Sequence, residues 1–291
     1  MGILASISIG INPNLFHLGA FTLSWHGVMT FVAVAVAVYL VARWGGKEGM
    51  IVDSIYSVAV WAIIGGVIGA RFLHVIDFWD EVYKDDFISI FQVYAGGIAI
   101  YGAIIGGFIG GALYIMIRNS EWFLTMWRTV FPFMGEAHRA NLPGIGRLAD
   151  IAAPAVLFAQ AIGRIGDVIN GEHLAKITEL PWGIIYTHPD SPAYLNAPVH
   201  PAVGYELIFD LVLLAALWPL RDRLRPNGMF FTLYLATYSI GRFFLSFLRV
   251  EFNQYFGALN EAQVVAIIVV IFTVPLLVWK AQLVRPTARR T

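Results

Sequence analysis

Seven stretches of the chain, residues 21–43, 53–78, 94–118, 148–169, 201–220, 229–248 and 261–283, are apolar over roughly the length that crosses a bilayer. A helix needs about 20 residues for that crossing. None of the seven alternates polar and apolar positions as a barrel strand would. With no water in the hydrocarbon core, each segment must then satisfy its own backbone hydrogen bonds as a helix. The fourth and fifth stretches carry polar interruptions. In the third, Gly102, Gly106 and Gly110 recur every fourth residue with Gly107 and Gly111 beside them, and the second repeats the spacing with Gly65 and Gly69. Small-residue ridges of that kind let two helices approach closely in lipid. The pattern predicts an all-α integral membrane protein, one bundle of about seven transmembrane helices within residues 1–291. No internal repeat is visible, which gives an inverted-repeat transporter no support.

Two longer excursions leave this bundle. In residues 119–147, Trp122, Phe123, Met126, Trp127, Val130 and Phe131 recur at helical spacing, with Glu121 and Arg128 outside the stripe. That pattern predicts a helix with its apolar face among acyl chains, or one packed on the bundle's own ends. Residues 170–200 are rich in Pro, Gly, Asn and Tyr and read as an irregular arm with a short strand over 182–187.

Composition agrees with the pattern. Hydrophobic residues make up 58% of the chain and charged ones 13%, and the mean hydropathy is +0.71. A soluble domain would carry about 25% charge. The first 20 residues have neither the basic start nor the small-residue cleavage site of a removable signal, so the first span is expected to be permanent.

Formal charge is zero, but its placement is informative. Arg43, Lys47, Arg118, Arg128, Arg139, Arg147, Arg221, Arg223, Arg225, Lys280, Arg285, Arg289 and Arg290 fall on one side of the predicted membrane. Only Lys84, Lys176 and Arg249 fall on the other, thirteen against three. The positive-inside bias puts the C-terminus and the 119–147 segment in the cytoplasm, and the N-terminus and the 170–200 arm outside. Cysteine is absent, which excludes disulfides, thiolate metal sites and an enzyme-borne thiol nucleophile. The seven histidines (His17, His26, His74, His138, His173, His188 and His200) show no zinc-type spacing, so no metal is expected.

The candidate chemistry is ionic. Arg71, Arg164 and Arg242 lie inside spans, and counting along each helix brings them to a similar depth in the outer leaflet. An ionisable group there costs roughly 3 kcal/mol on insertion scales and about 10 or more by simulation. Arginine stays charged, and its planar fork grips phosphate bidentately. The anions to match are either the chain's own carboxylates (Asp77, Asp167, Glu172, Glu206, Asp210) or the phosphate of an anionic phospholipid. A plain Arg–Asp lock between helices would need fewer groups than the spans supply. His26, Tyr101, His200, Tyr205, Glu206 and Tyr238 also line the outer ends of several helices.

These residues carry a resemblance. Ser24-Trp25-His26-Gly27-Val28-Met29, Gly69-Ala70-Arg71, Gly96-Gly97-Ile98-Ala99-Ile100-Tyr101-Gly102 and Asp150-Ile151-Ala152-Ala153-Pro154 are part of it. So are Gly163-Arg164-Ile165-Gly166-Asp167-Val168-Ile169-Asn170-Gly171-Glu172, Leu180-Pro181-Trp182-Gly183, His200-Pro201 with Tyr205-Glu206, and the run from Tyr238 through Arg242 to Arg249. The chain resembles the prolipoprotein diacylglyceryl transferases of bacterial plasma membranes. The resemblance implies transfer of a diacylglyceryl group from phosphatidylglycerol to the cysteine of a lipoprotein precursor, next to its signal peptide, with loss of glycerol phosphate. It implies membrane lipid as the medium, no cofactor and no nucleic acid. Arg164 and Arg242 are expected to face the phosphate, with Arg71 or Arg249 secondary. His26, Tyr101, Glu172 and Glu206 are the candidates for the base that deprotonates the thiol. Asp167, Asn170, Gly171, His200, Tyr205 and Tyr238 are expected around the substrate.

Four positions depart from the family pattern. His26 stands where tyrosine is common, Tyr101 where histidine is frequent, Asp167 where asparagine is usual, and Ser246 where glutamate is usual. His26 and Tyr101 are expected to face each other. Asp167 is expected to balance Arg242 across a helix interface in place of the glutamate missing at Ser246. The alternatives are a paralogue that binds anionic lipid without transfer, or one with another substrate, and in a different class an anion transporter.

Overall fold

The computed structural model describes residues 6–284 apart from 20, 93–96, 98, 135–138, 141, 251–253 and 256–258. Tyr94, Gly96, Ile98, His138, Arg285, Arg289 and Arg290 of the sequence reading lie outside the described residues. Seven helices are long and apolar enough to cross a membrane. They are α1 (Trp25–Lys47), α2 (Val52–Asp77), α3 (Ile100–Arg118), α5 (Ile145–Asn170), α6 (Ala202–Leu217), α7 (Met229–Leu245) and α8 (Glu261–Lys280), with the short α4 (Glu121–Val130) between α3 and α5. The chain is a multi-pass membrane protein. Its many exposed large side chains, such as Phe72 at 66% and Val278 at 83%, are what a surface solvated by acyl chains requires.

Two boundaries moved for local reasons. The first apolar stretch begins with a hairpin, β2 (Asn14–Leu18) against β3 (Phe21–Ser24), after a short β1 (Ile7–Ile9). The helix starts only after Ser24, whose Oγ accepts the Gly27 N–H at 3.1 Å in the manner of an N-cap. The last stretch stops at Lys280, and Gln282–Leu283 pairs instead with Leu224–Arg225. Asn260 and Gln263 close a reciprocal capping box at the start of α8.

The chain divides into two compact units, one made of residues 1–40 and 149–291 and the other of residues 41–148. In the second unit the glycine ridges of α2 and α3 meet backbone to backbone. A Cβ at Gly65 would run into the Gly106 carbonyl, one at Gly69 into the Gly102 carbonyl, and the reverse holds for Gly102 and Gly106. Gly106→Leu is therefore expected to destabilise the protein by about 2 kcal/mol or more, because backbone cannot step aside as a flexible side chain would. Thermal unfolding in detergent is the measurement. Ala42, Ile55, Ile115, Ala140, Leu142 and Leu148 form this unit's core, and Arg147 grips Glu48 at 2.9 and 2.6 Å. On α4, Leu124 is buried and Phe123, Met126 and Trp127 are half-buried, while Trp122 and Val130 remain exposed. The expected apolar stripe is thus divided between packing and exposure.

In the first unit Ala153, Leu157, Leu213, Leu217, Phe230 and Tyr234 join α5, α6 and α7 in one core. Asp150 ties the start of α7 to α5, accepting the Gly228 and Phe231 N–H groups at 2.8 and 2.9 Å, where a carboxylate also suits the helix dipole. The arm after α5 contributes β4 (Ile184–Tyr186), which falls inside the expected 182–187 strand and pairs in parallel with β1.

Candidate functional site

On α6 the buried positions Ala202, Val203, Glu206, Asp210, Leu213 and Leu217 follow one helical stripe. The two carboxylates therefore point where the apolar face points, into the packing with α5 and α7. Glu206 is the hub. Its Oε1 accepts from Arg242 Nη1 of α7, and its Oε2 accepts from Arg249 Nη2 at 2.7 Å and lies 3.0 Å from Arg164 Nη2 of α5. Arg249 follows α7 and is held by the arm: Lys176 N–H donates to Leu248 O and Val250 N–H to Leu174 O, both at 2.9 Å. Burial and the neighbouring Arg242 draw the Arg249 guanidinium down to about 10, and it stays charged at neutral pH.

From Arg164 the contacts continue to a second carboxylate. Arg164 Nη1 donates to Asp167 Oδ2 at 2.8 Å, and Asp167 Oδ1 lies 2.5 Å from His26 Nδ1. Gly166 makes the second contact possible. A Cβ there would sit 2.8 Å from Met29 Cβ and 3.0 Å from His26 Cα, so only glycine lets α1 come this close to α5. Asn170 Oδ1 receives the His26 backbone N–H at 3.4 Å, and its Nδ2 donates to Glu172 Oε1 at 3.1 Å.

The helix end that carries these groups is closed by the arm. Gly171, at φ +76°, turns the chain so that its N–H and that of Glu172 both donate to Asp167 O at 3.0 Å. Ser191 Oγ donates to Asn170 O at 2.7 Å and Tyr186 OH to Val168 O at 2.9 Å. Burial, with the nearby Asp167 charge, pushes the Tyr186 phenol up to about 12, so it acts as a fixed donor. Neither Ser191 nor Tyr186 was foreseen; an irregular arm has no periodicity to mark them.

Accessibility ranks the arginines. Arg164 and Arg242 each keep 18% of the side chain open, whereas Arg249 keeps 3% and Glu206 4%. Among the described residues, Glu206 and Asp167 are the carboxylates in ion pairs with these three guanidinium groups. Asp210, one turn beyond Glu206, is buried, and neither of its oxygens has a hydrogen bond among the described residues.

Asp167 does not balance Arg242, contrary to the sequence expectation. It faces Arg164, one turn earlier on its own helix, and His26 across the gap at Gly166; Arg242 pairs with Glu206. Ser246, in place of a glutamate, turns its hydroxyl back to Arg242 O at 2.8 Å.

Other expected residues stand nearby or elsewhere. Tyr238 packs its ring beside Phe209 and Tyr234. Tyr205 OH accepts from Trp182 Nε1 at 2.7 Å, and His200 lies beside Tyr205 with a buried Nδ1 that has no hydrogen bond among the described residues. Arg71 and Tyr101 belong to the other unit. There Arg71 donates to the carbonyls of Ile90 (2.8 Å), Gly97 (2.8 Å) and Ser89, and stacks over the Tyr83 ring. Asp77 is exposed. Among the described residues no group of three His, Asp or Glu could hold a metal.

Comparison with known proteins adds the family. A family model described as prolipoprotein diacylglyceryl transferase matches residues 13–139 and 136–279. A Dehalococcoides mccartyi protein named phosphatidylglycerol–prolipoprotein diacylglyceryl transferase is 33% identical over 285 residues, 97% of this chain and 99% of the relative. Proteins of the same name from Lysinibacillus sphaericus and Thermosynechococcus vestitus are each 30% identical, over 96% and 87% of this chain and the same shares of the relatives. The chain belongs to the prolipoprotein diacylglyceryl transferase family.

Proposed function

We propose that this protein moves the diacylglyceryl group of phosphatidylglycerol onto the cysteine thiol of a lipoprotein precursor. The sulfur attacks the glyceryl carbon, the carbon–oxygen bond to phosphate breaks, and glycerol phosphate departs. One observation carries the reading: guanidinium groups from α5, α7 and the segment after α7 converge on Glu206, and two of them keep an open face. Charge that develops on a leaving phosphate is best stabilised by cations already fixed in a low-dielectric site. Arg164 and Arg242 take the phosphate in this reading, and Arg249, sealed against Glu206, holds the hub in place. Glu206 preorganises all three and has no oxygen left to act as the base. Asn170, Gly171 and Glu172 shape the helix end beside the phosphate. His200, Tyr205 and Tyr238 border the site, while Arg71 supports the loop before α3.

We place the site at the outer leaflet of a bacterial plasma membrane, with the N-terminus outside, the C-terminus cytoplasmic, and the precursor presenting its signal peptide from within the bilayer. The basic residues after α1, α6 and α8 support that orientation.

The test uses the full chain reconstituted in vesicles containing phosphatidylglycerol, with a synthetic precursor peptide. Thioether-linked diacylglyceryl peptide and glycerol phosphate should appear in equal amounts, and only when phosphatidylglycerol is present. Lipid binding without either product would instead identify a non-catalytic lipid-binding paralogue.

A further inference from the structure

The pairing of His26 with Asp167 joins α1 to α5 across 141 residues of sequence. It assembles a part of the site that the arginine cluster alone does not supply. The imidazole stands at the start of α1, where Ser24 caps the helix and Gly166 admits it to α5. Asp167 is held from both sides: Oδ2 accepts from Arg164 Nη1 at 2.8 Å, and Oδ1 lies 2.5 Å from His26 Nδ1. Only 5% of the Asp167 side chain is open, against 46% for His26. A carboxylate oxygen can only accept, so Nδ1 carries the hydrogen, and in the neutral ring the lone pair lies on Nε2. Nε2 makes no hydrogen bond among the described residues. A base oriented in this way, with its far nitrogen free, is built to take a proton from an incoming group.

We propose that His26 is the catalytic base that removes the proton of the acceptor thiol, with Asp167 as its positioning residue. This inference rests on the transfer reaction proposed above. The thiol proton passes to Nε2 as a sulfur electron pair forms the bond to the glyceryl carbon. The carbon–oxygen bond breaks with its electron pair on the departing phosphate oxygen, and the imidazolium then returns the proton to glycerol phosphate or solvent. Asp167 contacts both His26 and Arg164, so one carboxylate sets the base and the phosphate-binding cation in register. The charged groups that face the imidazole are Asp167 and Arg164 from α5 and Glu172 just beyond its end. Glu206 has both oxygens engaged by guanidinium groups, which leaves it unsuited to this role.

The experiment compares wild type, His26→Gln and Asp167→Asn, each reconstituted in phosphatidylglycerol vesicles, with precursor peptides carrying cysteine or selenocysteine at the acceptor position. Unchanged thermal unfolding and unchanged phosphatidylglycerol binding establish that H26Q is folded. H26Q should lose about 100-fold or more in kcat with the cysteine peptide at neutral pH. The loss should shrink as pH rises toward the free-thiol value near ~8.5, and the selenol, already ionised at neutral pH, should be transferred at close to the wild-type rate. D167N should lower kcat more with the cysteine peptide than with the selenocysteine peptide. An active wild type beside an H26Q that keeps more than a tenth of the rate removes the base assignment alone. So does an H26Q whose deficit persists with the selenol. A wild type inert with both peptides overturns the transfer reaction and, with it, the role of His26.

Discussion

Glu206→Leu should destabilise this protein by about 3–5 kcal/mol, the range seen when one partner is removed from a buried ion cluster. Three guanidinium groups now share that carboxylate. Leucine fills a similar volume but removes the acceptor that the three cations share, at a position only 4% open. Arg249 suffers most, being almost fully enclosed. Glu206→Gln keeps an acceptor oxygen and should cost less than the leucine variant. Asp210→Asn is the control on the same buried stripe, because neither Asp210 oxygen has a hydrogen bond to lose among the described residues. Its unfolding temperature should stay near the wild-type value. Thermal unfolding in detergent, alongside yield in the membrane fraction, checks all three. Equal unfolding temperatures for Glu206→Leu and wild type would show that the hub does not hold the arginines together.

Arg242→Ala should leave the fold largely intact and cut kcat by about 10²–10³, the usual cost of losing one preorganised group at a developing negative charge. Glu206 keeps Arg164 and Arg249 in this variant, so the hub remains neutralised. Arg242→Lys should recover little, since an ammonium cannot reproduce the planar fork that meets a carboxylate on one side and a phosphate on the other. Arg249→Ala should show the reverse balance, with a larger fall in unfolding temperature, because the Arg249 side chain is sealed away from any ligand. Transfer to a precursor peptide, and rescue of a transferase-depleted bacterium, read the activity. Full rescue by Arg242→Ala would remove this guanidinium from the chemistry.

Much of this was legible in one dimension. Runs of apolar residues long enough to cross hydrocarbon leave the backbone no stable choice but helix, so the seven spans follow from length and hydropathy. The Gly65/Gly69 and Gly102/Gly106 spacing announced the close contact of α2 with α3, because removing side chains from one helical stripe has a single geometric consequence. Arg164 and Arg242 stood out simply because charge is costly at that depth.

The site's internal pairing was not legible in the same way. The family departures at Asp167 and Ser246 suggest a pairing of Asp167 with Arg242, whereas Asp167 meets Arg164 and His26. Spacing along one helix places Asp167 and Arg164 on a common face, but the rotation of α6 about its axis decides that Glu206 meets Arg242. The hairpin of β2 and β3 was hidden because Phe21–Ser24 is as apolar as the helix it precedes, and only the Ser24 cap separates them. Ser191 and Tyr186, which close the end of α5, lie in an arm whose irregular chain offers no period to read.

Hydropathy and charge, taken residue by residue, thus settle how many times the backbone crosses the bilayer and which costly groups it carries inward. Those properties depend on each segment's own transfer energy. Which carboxylate neutralises which arginine, and that His26 finds Asp167, depends on helix rotation and on approach distances such as the one Gly166 permits. These are set by packing between segments far apart in the chain, and no local pattern encodes them.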